Sequence, residues 1–157
     1  MLRAQGLQLT DKYVARWQLT APSNWTTSHF SFSATVQSKD NWSSSIAASG
    51  NQPTGLPAPG LDAGVDLSSA LDIDLGRCPM TNTMPIRRLG LLENDVARTP
   101  FIMAWIDMPS MYVIASDHYS PSATKSSVRY ESGTRDVNIH LKVDINGDAF
   151  DYPALAR

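Results

Sequence analysis

The sequence has only one cysteine, Cys78, among its 157 residues. A lone thiol cannot close a disulfide within the chain, so we expect no cross-linked framework and a reducing, cytoplasmic location. Long apolar runs are also missing: none approaches the ~20 residues that cross a bilayer as a helix. The segment Met1–Thr10 is too polar for the core of a signal peptide. We therefore expect no transmembrane segment.

An excess of positive charge is missing as well. Lysine and arginine number 13 against 15 aspartate and glutamate residues, which gives a net charge of −2. This balance supplies no basic field for a nucleic-acid partner. Phosphate-binding loops, dinucleotide fingerprints and nucleophile elbows do not occur in the sequence. His29, His118 and His140 lie far apart without paired spacing, so we expect neither a metal ion nor another cofactor.

Apolar and polar residues alternate along much of the chain, as is typical of half-buried strands. The main strands predicted from this alternation are Tyr13–Leu19, His29–Val36, Leu71–Leu75, Phe101–Ile106, Val128–Glu131 and Val137–Val143. A further short strand is expected at Trp42–Ala48, residues 1–11 are expected to be a loose lead-in, and 49–64 a long Pro/Gly-rich loop. Asn146-Gly147 is a strong hairpin signal. Helical periodicity is scarce, so we expect one mainly β domain over 1–157, with a single antiparallel sheet.

Two carboxylates share one face of the predicted strand Leu71–Leu75. Strand geometry places Asp72 and Asp74 about 6.5–7 Å apart, and three interpretations remain open. They could serve general acid–base catalysis, including glycoside hydrolysis. They could instead pair with arginine as a structural contact, or hydrogen-bond a ligand.

A polar turn and two arginines follow this strand. The short side chains of residues 81–83 can bond nearby backbone, and the turn could also meet a ligand. Pro85, within the apolar segment Met84–Leu89, indicates a strand edge, a bulge or a strand start. Arg87 and Arg88 would point to opposite faces of an extended strand. One of them could bind an anionic head group, or pair with one of the two aspartates.

The segment Phe101–Ile106 is apolar on both faces, so each face of this strand must be covered by other parts of the protein or by a ligand. It could be a central strand beneath a helix or second sheet, or one of its faces could line an apolar cavity. The simplest interpretation of four large side chains is that they belong to the hydrophobic core: Met103, Trp105, Tyr112 and Tyr130. As a cavity lining they would suit an acyl chain, because methionine and aromatic side chains conform to loosely shaped apolar ligands.

Two segments resemble a known family. TNTMPIRRLG preceded by LDIDL, together with VDINGDAFDYPAL, is similar to the family of putative glycolipid-binding proteins. The resemblance implies the fold of bacterial lipoprotein localisation factors, an open, curved antiparallel β-barrel that holds an acyl chain. The family usually has a cysteine where Ala70 stands and a threonine where Cys78 stands. Its members begin with a further strand pair that we do not find before Tyr13, so an N-terminally shortened member is expected.

The resemblance implies that the protein binds a lipid or glycolipid in an apolar groove, without catalysis. Two alternatives are a small hydrolase that acts on lipid or sugar through Asp72 and Asp74, and a scaffold or interaction protein whose groove is filled. A binder needs a continuous apolar cavity with a polar rim, whereas a hydrolase needs both carboxylates to face that cavity. We expect a binder and not an enzyme. The candidate ligand-binding residues are Asp72, Asp74, Thr81, Asn82, Thr83, Arg87, Arg88, Met103, Trp105, Tyr112 and Tyr130.

Overall fold

The computed structural model describes residues 1–36, 42–49, 52–55, 65–92, 96–120, 123–124 and 126–151. In these ranges the protein is mainly β, as the sequence predicts, with twelve strands and one short α-helix. The strands form two sheets rather than the single sheet expected from the sequence. Both sheets have free edges, and neither closes on itself.

The first sheet is an antiparallel meander whose five strands lie in chain order. Alternation buries Tyr13, Trp17 and Leu19 on its inner face and leaves Val14 and Arg16 on its outer face. The predicted strand at His29–Val36 and its pairing with the preceding strand are confirmed. The strands are β1 (Leu2–Leu9), β2 (Tyr13–Ala21), β3 (His29–Val36), β4 (Trp42–Ser49) and β5 (Gln52–Gly55).

Strand β1 overturns the expectation of a loose lead-in at residues 1–11. It pairs with β2 along its whole length and brings Leu9 opposite Val14. A strand therefore precedes Tyr13, where the sequence analysis found none. Partly buried and exposed positions alternate along β1, but the exposed positions include leucines. The alternation of apolar and polar residues in the sequence therefore does not show which face of the strand is buried.

The second sheet has seven strands, and its spatial order is β12-β11-β10-β8-β7-β6, with β9 paired beside β10. Its neighbours are antiparallel apart from β6 and β7, which are parallel. The expectation of a purely antiparallel arrangement is wrong here, because a long connection at residues 76–98 carries the chain back across the sheet. The strands are β6 (Ala70–Leu75), β7 (Thr99–Ile106), β8 (Val113–Ser120), β9 (Ala123–Thr124), β10 (Ser127–Ser132), β11 (Val137–Val143) and β12 (Ala149–Asp151).

That long connection contains the helix. A 3₁₀ turn at Pro79–Asn82 leads directly into α1 (Thr83–Arg88). The predicted strand edge, bulge or strand start at Met84–Leu89 is therefore wrong. Pro85 lies in the first turn of α1, where a backbone N–H has no partner within the helix, so a proline is tolerated.

Apolar side chains form a core on each side of the second sheet. The first core lies between the two sheets, and its large members include Trp17, Leu19, Phe30, Ile73, Leu75 and Ile106. The second lies on the opposite face, which we call the far face, where Ile86 and Leu91 of the α1 segment pack against Val128, Leu141 and Val143. Strand β7 contributes Ala104 and Ile106 to the first core, and Met103 on its opposite face is fully buried, so this part of the strand is covered on both faces.

The remaining predictions fall on turns and loops. The Asn146-Gly147 turn joins β11 to antiparallel β12, and the φ angle of Gly147 is +80°. Strand β5 lies within the predicted loop 49–64, whose residues 50–51 and 56–64 lie outside the described ranges. No helix of the described chain has the length and apolar content needed to cross a bilayer.

Candidate functional site

A pocket of about 350 Å³ lies at one end of the far face. The α1 segment packs on Leu141 and Val143, at one end of β11, and buries them. At the other end of the same strand, Val137 and Ile139 stay partly exposed and line the pocket. The pocket therefore exists because the short helix covers only part of the sheet.

Four side chains form a hydrogen-bonded and stacked group at this end, which we call the Asp74 cluster: Asp74, Trp105, Tyr130 and Arg135. The Tyr130 hydroxyl donates to Asp74 Oδ2 at 2.6 Å, and Arg135 Nη2 donates to the same oxygen at 2.9 Å. Arg135 also donates to the Tyr130 hydroxyl. Its guanidinium carbon lies 4.6 Å from the centre of the Trp105 ring, within cation–π distance. A buried carboxylate is thereby held in one position.

The strands explain why these residues meet. Parallel pairing of β6 with β7 places Asp74 in register with Trp105. Tyr130 reaches the carboxylate from β10, and Arg135 from the turn between β10 and β11. Of this cluster, Asp74, Trp105 and Arg135 line the pocket, whereas Tyr130 lines the small cavity beneath α1.

The rest of the pocket lining contributes two more charges, an amide and a thiol. Asp107 and Arg77 line it, so its two aspartates and two arginines balance in charge. Asn82 is buried at the pocket, and its Nδ2 donates to the Pro79 carbonyl at 3.4 Å. Burial raises the pKa of Cys78 to about 12, so the thiol stays neutral and is a poor nucleophile.

The first aspartate of the strand, Asp72, lies outside the pocket. Its Oδ2 is 2.6 Å from Arg88 Nη2, and its side chain is fully buried. The predicted pairing of an aspartate with one of the two arginines is confirmed as this contact. The other arginine, Arg87, has its guanidinium carbon 5.1 Å from the centre of the Trp25 ring.

The two threonines of the predicted turn hold backbone in place. Thr81 Oγ1 donates to the Cys78 carbonyl at 2.8 Å and accepts from the Leu75 N–H at 3.2 Å. Thr83 Oγ1 donates to Asp148 Oδ1 at 3.0 Å. Both threonines are buried, and neither lines the pocket.

Other predicted site residues lie elsewhere. Met103 is fully buried and Tyr112 is exposed, and neither lines the pocket. The structure thus brings together Asp74, Asn82 and Trp105 from the predicted set, with Tyr130 as support. It does not bring Arg87 or Arg88 to the pocket.

Sequence reasoning missed several lining residues. Arg135 is 61 positions from Asp74 in the chain, and no local pattern predicts so distant a contact. Val137 and Ile139 did carry a signal, because they continue the apolar alternation of β11. Within the part of the chain that the structure describes, no group of three or more His, Cys, Asp or Glu side chains could hold a metal ion.

Comparison with known proteins identifies the family. No curated protein matches this sequence. A solved structure of a DUF1089 family protein from Pseudomonas aeruginosa has a similar fold, with a TM-score of 0.78 and 24% identity, over 99% of this chain and 91% of that one. The profile described as Putative glycolipid-binding matches residues 2–157, which confirms the resemblance seen in the sequence. The chain therefore belongs to the Putative glycolipid-binding family.

Proposed function

We propose that the protein binds a glycolipid without catalysis and holds the polar head group in the pocket beside the Asp74 cluster. The family supports the ligand class. The observation that carries the proposal is the pocket itself, in which fixed polar groups face a partly exposed apolar wall. Its volume of about 350 Å³ lies within the range of roughly 300–1,000 Å³ typical of small-molecule sites.

The charge balance of the pocket favours an uncharged head group that is rich in hydroxyls. Arg135 is engaged by Asp74, and the two arginines of the lining are matched by two aspartates, so the pocket has no net positive charge that would favour an anionic group. Sugar hydroxyls both donate and accept, which suits a lining of carboxylates, guanidinium groups and the Asn82 amide. Among the described residues, the buried indole N–H of Trp105 has no hydrogen-bond partner, and a hydroxyl oxygen could accept from it.

The lipid part then lies along the apolar wall of the pocket, where Val137 and Ile139 are partly exposed. Beneath α1 the far face is filled: about 20 Å³ remains beside Ile86 and Leu141. The apolar groove expected from the sequence is therefore closed at that end. In this proposal the groove corresponds to the groove that holds the acyl chain in open-barrel localisation factors. The α1 segment covers one end of it.

The arrangement of the two β6 carboxylates supports binding over a hydrolase that acts through Asp72 and Asp74. Two carboxyl groups must flank the scissile bond in most glycoside hydrolases. Asp72 is sealed against Arg88, whereas Asp74 lines the pocket and is held by Arg135. The two aspartates of β6 therefore do not face one substrate position.

Lipid titrations with the full chain test the proposal. Native mass spectrometry first identifies any lipid that co-purifies. Short-chain fluorescent glucosylceramide and short-chain fluorescent phosphatidylglycerol are then titrated separately as monomers without any vesicle surface, and we expect saturable binding with preference for the neutral glycolipid. Absence of saturable binding by the folded protein would overturn the proposal, and a preference for phosphatidylglycerol would overturn the choice of head group.

A pair of variants locates the binding site. Ile139→Glu places a charge on the apolar wall of the pocket, where the side chain is partly exposed, and circular dichroism checks that the variant is folded. Ile145→Glu makes the same change at an exposed residue in the β11–β12 turn. We expect the first variant to lose glycolipid binding and the second to keep it. Equal binding by both would place the ligand elsewhere.

A further inference from the structure

The outer face of β1 and β2 exposes apolar side chains on a side of the first sheet away from its core. Leu7 and Leu9 are 50% and 69% exposed, and Val14 is partly exposed. Leu9 lies opposite Val14 across the two strands, and Leu7 lies opposite Arg16. These neighbours form one surface, which we call the β1–β2 patch: Leu7, Leu9, Val14 and Arg16.

Positive charge surrounds this patch. Arg3 is exposed on the same face of β1, Lys12 is exposed in the connecting turn, and Arg16 belongs to the patch. Residues 1–21 hold these three basic side chains and one acidic side chain, Asp11, in a chain whose net charge is −2. The patch is therefore locally basic on a weakly acidic protein.

Strand β1, which carries the two leucines of the patch, touches the pocket wall through one inward side chain. Gln8 lies between the two leucines in β1 but points inward, and its Nε2 donates to the Gly76 carbonyl at 3.2 Å. Gly76 lines the pocket. The Tyr13 hydroxyl donates to Gln8 Oε1 at 3.3 Å and reinforces this link. One residue thus connects the strand that carries the exposed leucines to the pocket wall.

We propose that the β1–β2 patch docks the protein on an anionic lipid surface. Exposed leucines flanked by lysine and arginine are the combination that binds bilayer interfaces, because apolar burial adds to attraction toward anionic head groups. A second copy of the chain is a poorer occupant. A symmetric dimer through this face would place the basic side chains of both copies in one interface, where they repel.

Vesicle co-sedimentation of the full chain tests the proposal without any glycolipid, so its outcome is independent of the pocket. Phosphatidylcholine vesicles are compared with vesicles that also contain phosphatidylglycerol. We expect binding to the anionic vesicles, weakened by added salt, and little binding to the neutral ones. Equal binding to both vesicle types, or binding to neither, would overturn the proposal.

Matched variants assign the binding to this face. The double variants Leu7→Gln/Leu9→Gln and Lys12→Gln/Arg16→Gln should each weaken partitioning by about tenfold or more. Ile145→Gln removes an equally apolar side chain, 89% exposed, from the β11–β12 turn and should leave partitioning unchanged. Circular dichroism checks that each variant is folded.

Two results would assign the patch differently. Loss of binding in the Ile145 control as large as in the leucine variant would show that general surface apolarity is responsible. A concentration-dependent dimer in analytical ultracentrifugation, abolished by Leu7→Gln/Leu9→Gln, would make a second copy the occupant. Either result overturns the lipid-docking proposal.

Discussion

Asp72 on strand β6 and Arg88 at the end of helix α1 form an ion pair with an N–O distance of 2.6 Å. The carboxylate is fully buried, and the arginine side chain is 16% exposed. A six-residue helix is too short to be stable by itself, so it depends on such tertiary contacts. The pair fixes the α1 segment on the far face, and with it the boundary between the covered end of β11 and the open pocket.

Removal of one partner of this pair should strongly destabilise the fold. Arg88→Gln leaves the Asp72 carboxylate buried without its cation, which typically costs about 3–5 kcal/mol. Urea denaturation of Arg88→Gln, Asp72→Asn and the double variant gives the coupling energy. The surface pair of Arg98 with Glu131 is the control, since Arg98 is 56% exposed and Arg98→Gln should cost under about 1 kcal/mol. Strict additivity of the two single variants would contradict the prediction.

The sequence predicted this pairing, but for a partly wrong reason. In the sequence, the segment 84–89 is predicted to be an extended strand that places one arginine within reach of an aspartate. The structure makes it a helix, and the neighbour of β6 is the parallel strand β7. A helix of six residues shows too little periodicity to be recognised, and Pro85 fits both a strand start and a first helical turn.

Strands were predictable wherever one face is buried. Residues 29–36 and 137–143 coincide with β3 and β11, because side-chain polarity repeats every two residues on a half-buried strand. Strand β1 was missed because its leucines lie on the exposed face. Asp74 and Trp105 could be predicted as site residues from the sequence pattern of the strands that contain them. Arg135 could not, because its contact depends on how a distant turn folds over the sheet.

Gly6→Ala should destabilise the protein by overpacking. A Cβ at this position would lie 2.5 Å from ring atoms of Trp17, which is far inside van der Waals contact. Because the indole is buried in the first core, relief requires movement of the ring or of strand β1, at about 1–3 kcal/mol. Thermal denaturation measures the loss. Gln5→Ala, at an exposed neighbouring position of β1, is the control, and an equal effect of both substitutions would refute the close contact.

Cys78 should resist thiol reagents in the folded protein. Burial raises its pKa from the ordinary 9.0 to about 12, so little thiolate forms near pH 8. Labelling with a chromogenic disulfide reagent should be slow in native buffer and rapid in guanidinium chloride. Rapid native labelling at about pH 8 would show that the thiol is accessible and ionised.

The same shift makes a prediction about stability at alkaline pH. A thiol whose folded pKa is raised binds its proton more tightly in the native state than in the unfolded state. Its contribution to stability is therefore complete below about pH 9 and is lost as the pH rises toward 12. Urea midpoints of Cys78→Ala should fall less steeply over this window than those of the natural sequence. Parallel curves for the two proteins would contradict this assignment.

The stack of Arg135 on Trp105 should contribute to stability through its geometry as well as its charge. Arg135→Lys keeps a cation near Asp74 but loses the planar group that lies on the indole. We expect a coupling energy of about 0.5–2 kcal/mol between Arg135→Lys and Trp105→Leu in a urea double-mutant cycle. Tyr112→Leu is the matched control, because this exposed aromatic is not a member of the Asp74 cluster, and its cycle with Arg135→Lys should be additive. If the Trp105 cycle is additive too, hydrogen bonding and charge hold the arginine, and the stack is only a consequence of that placement.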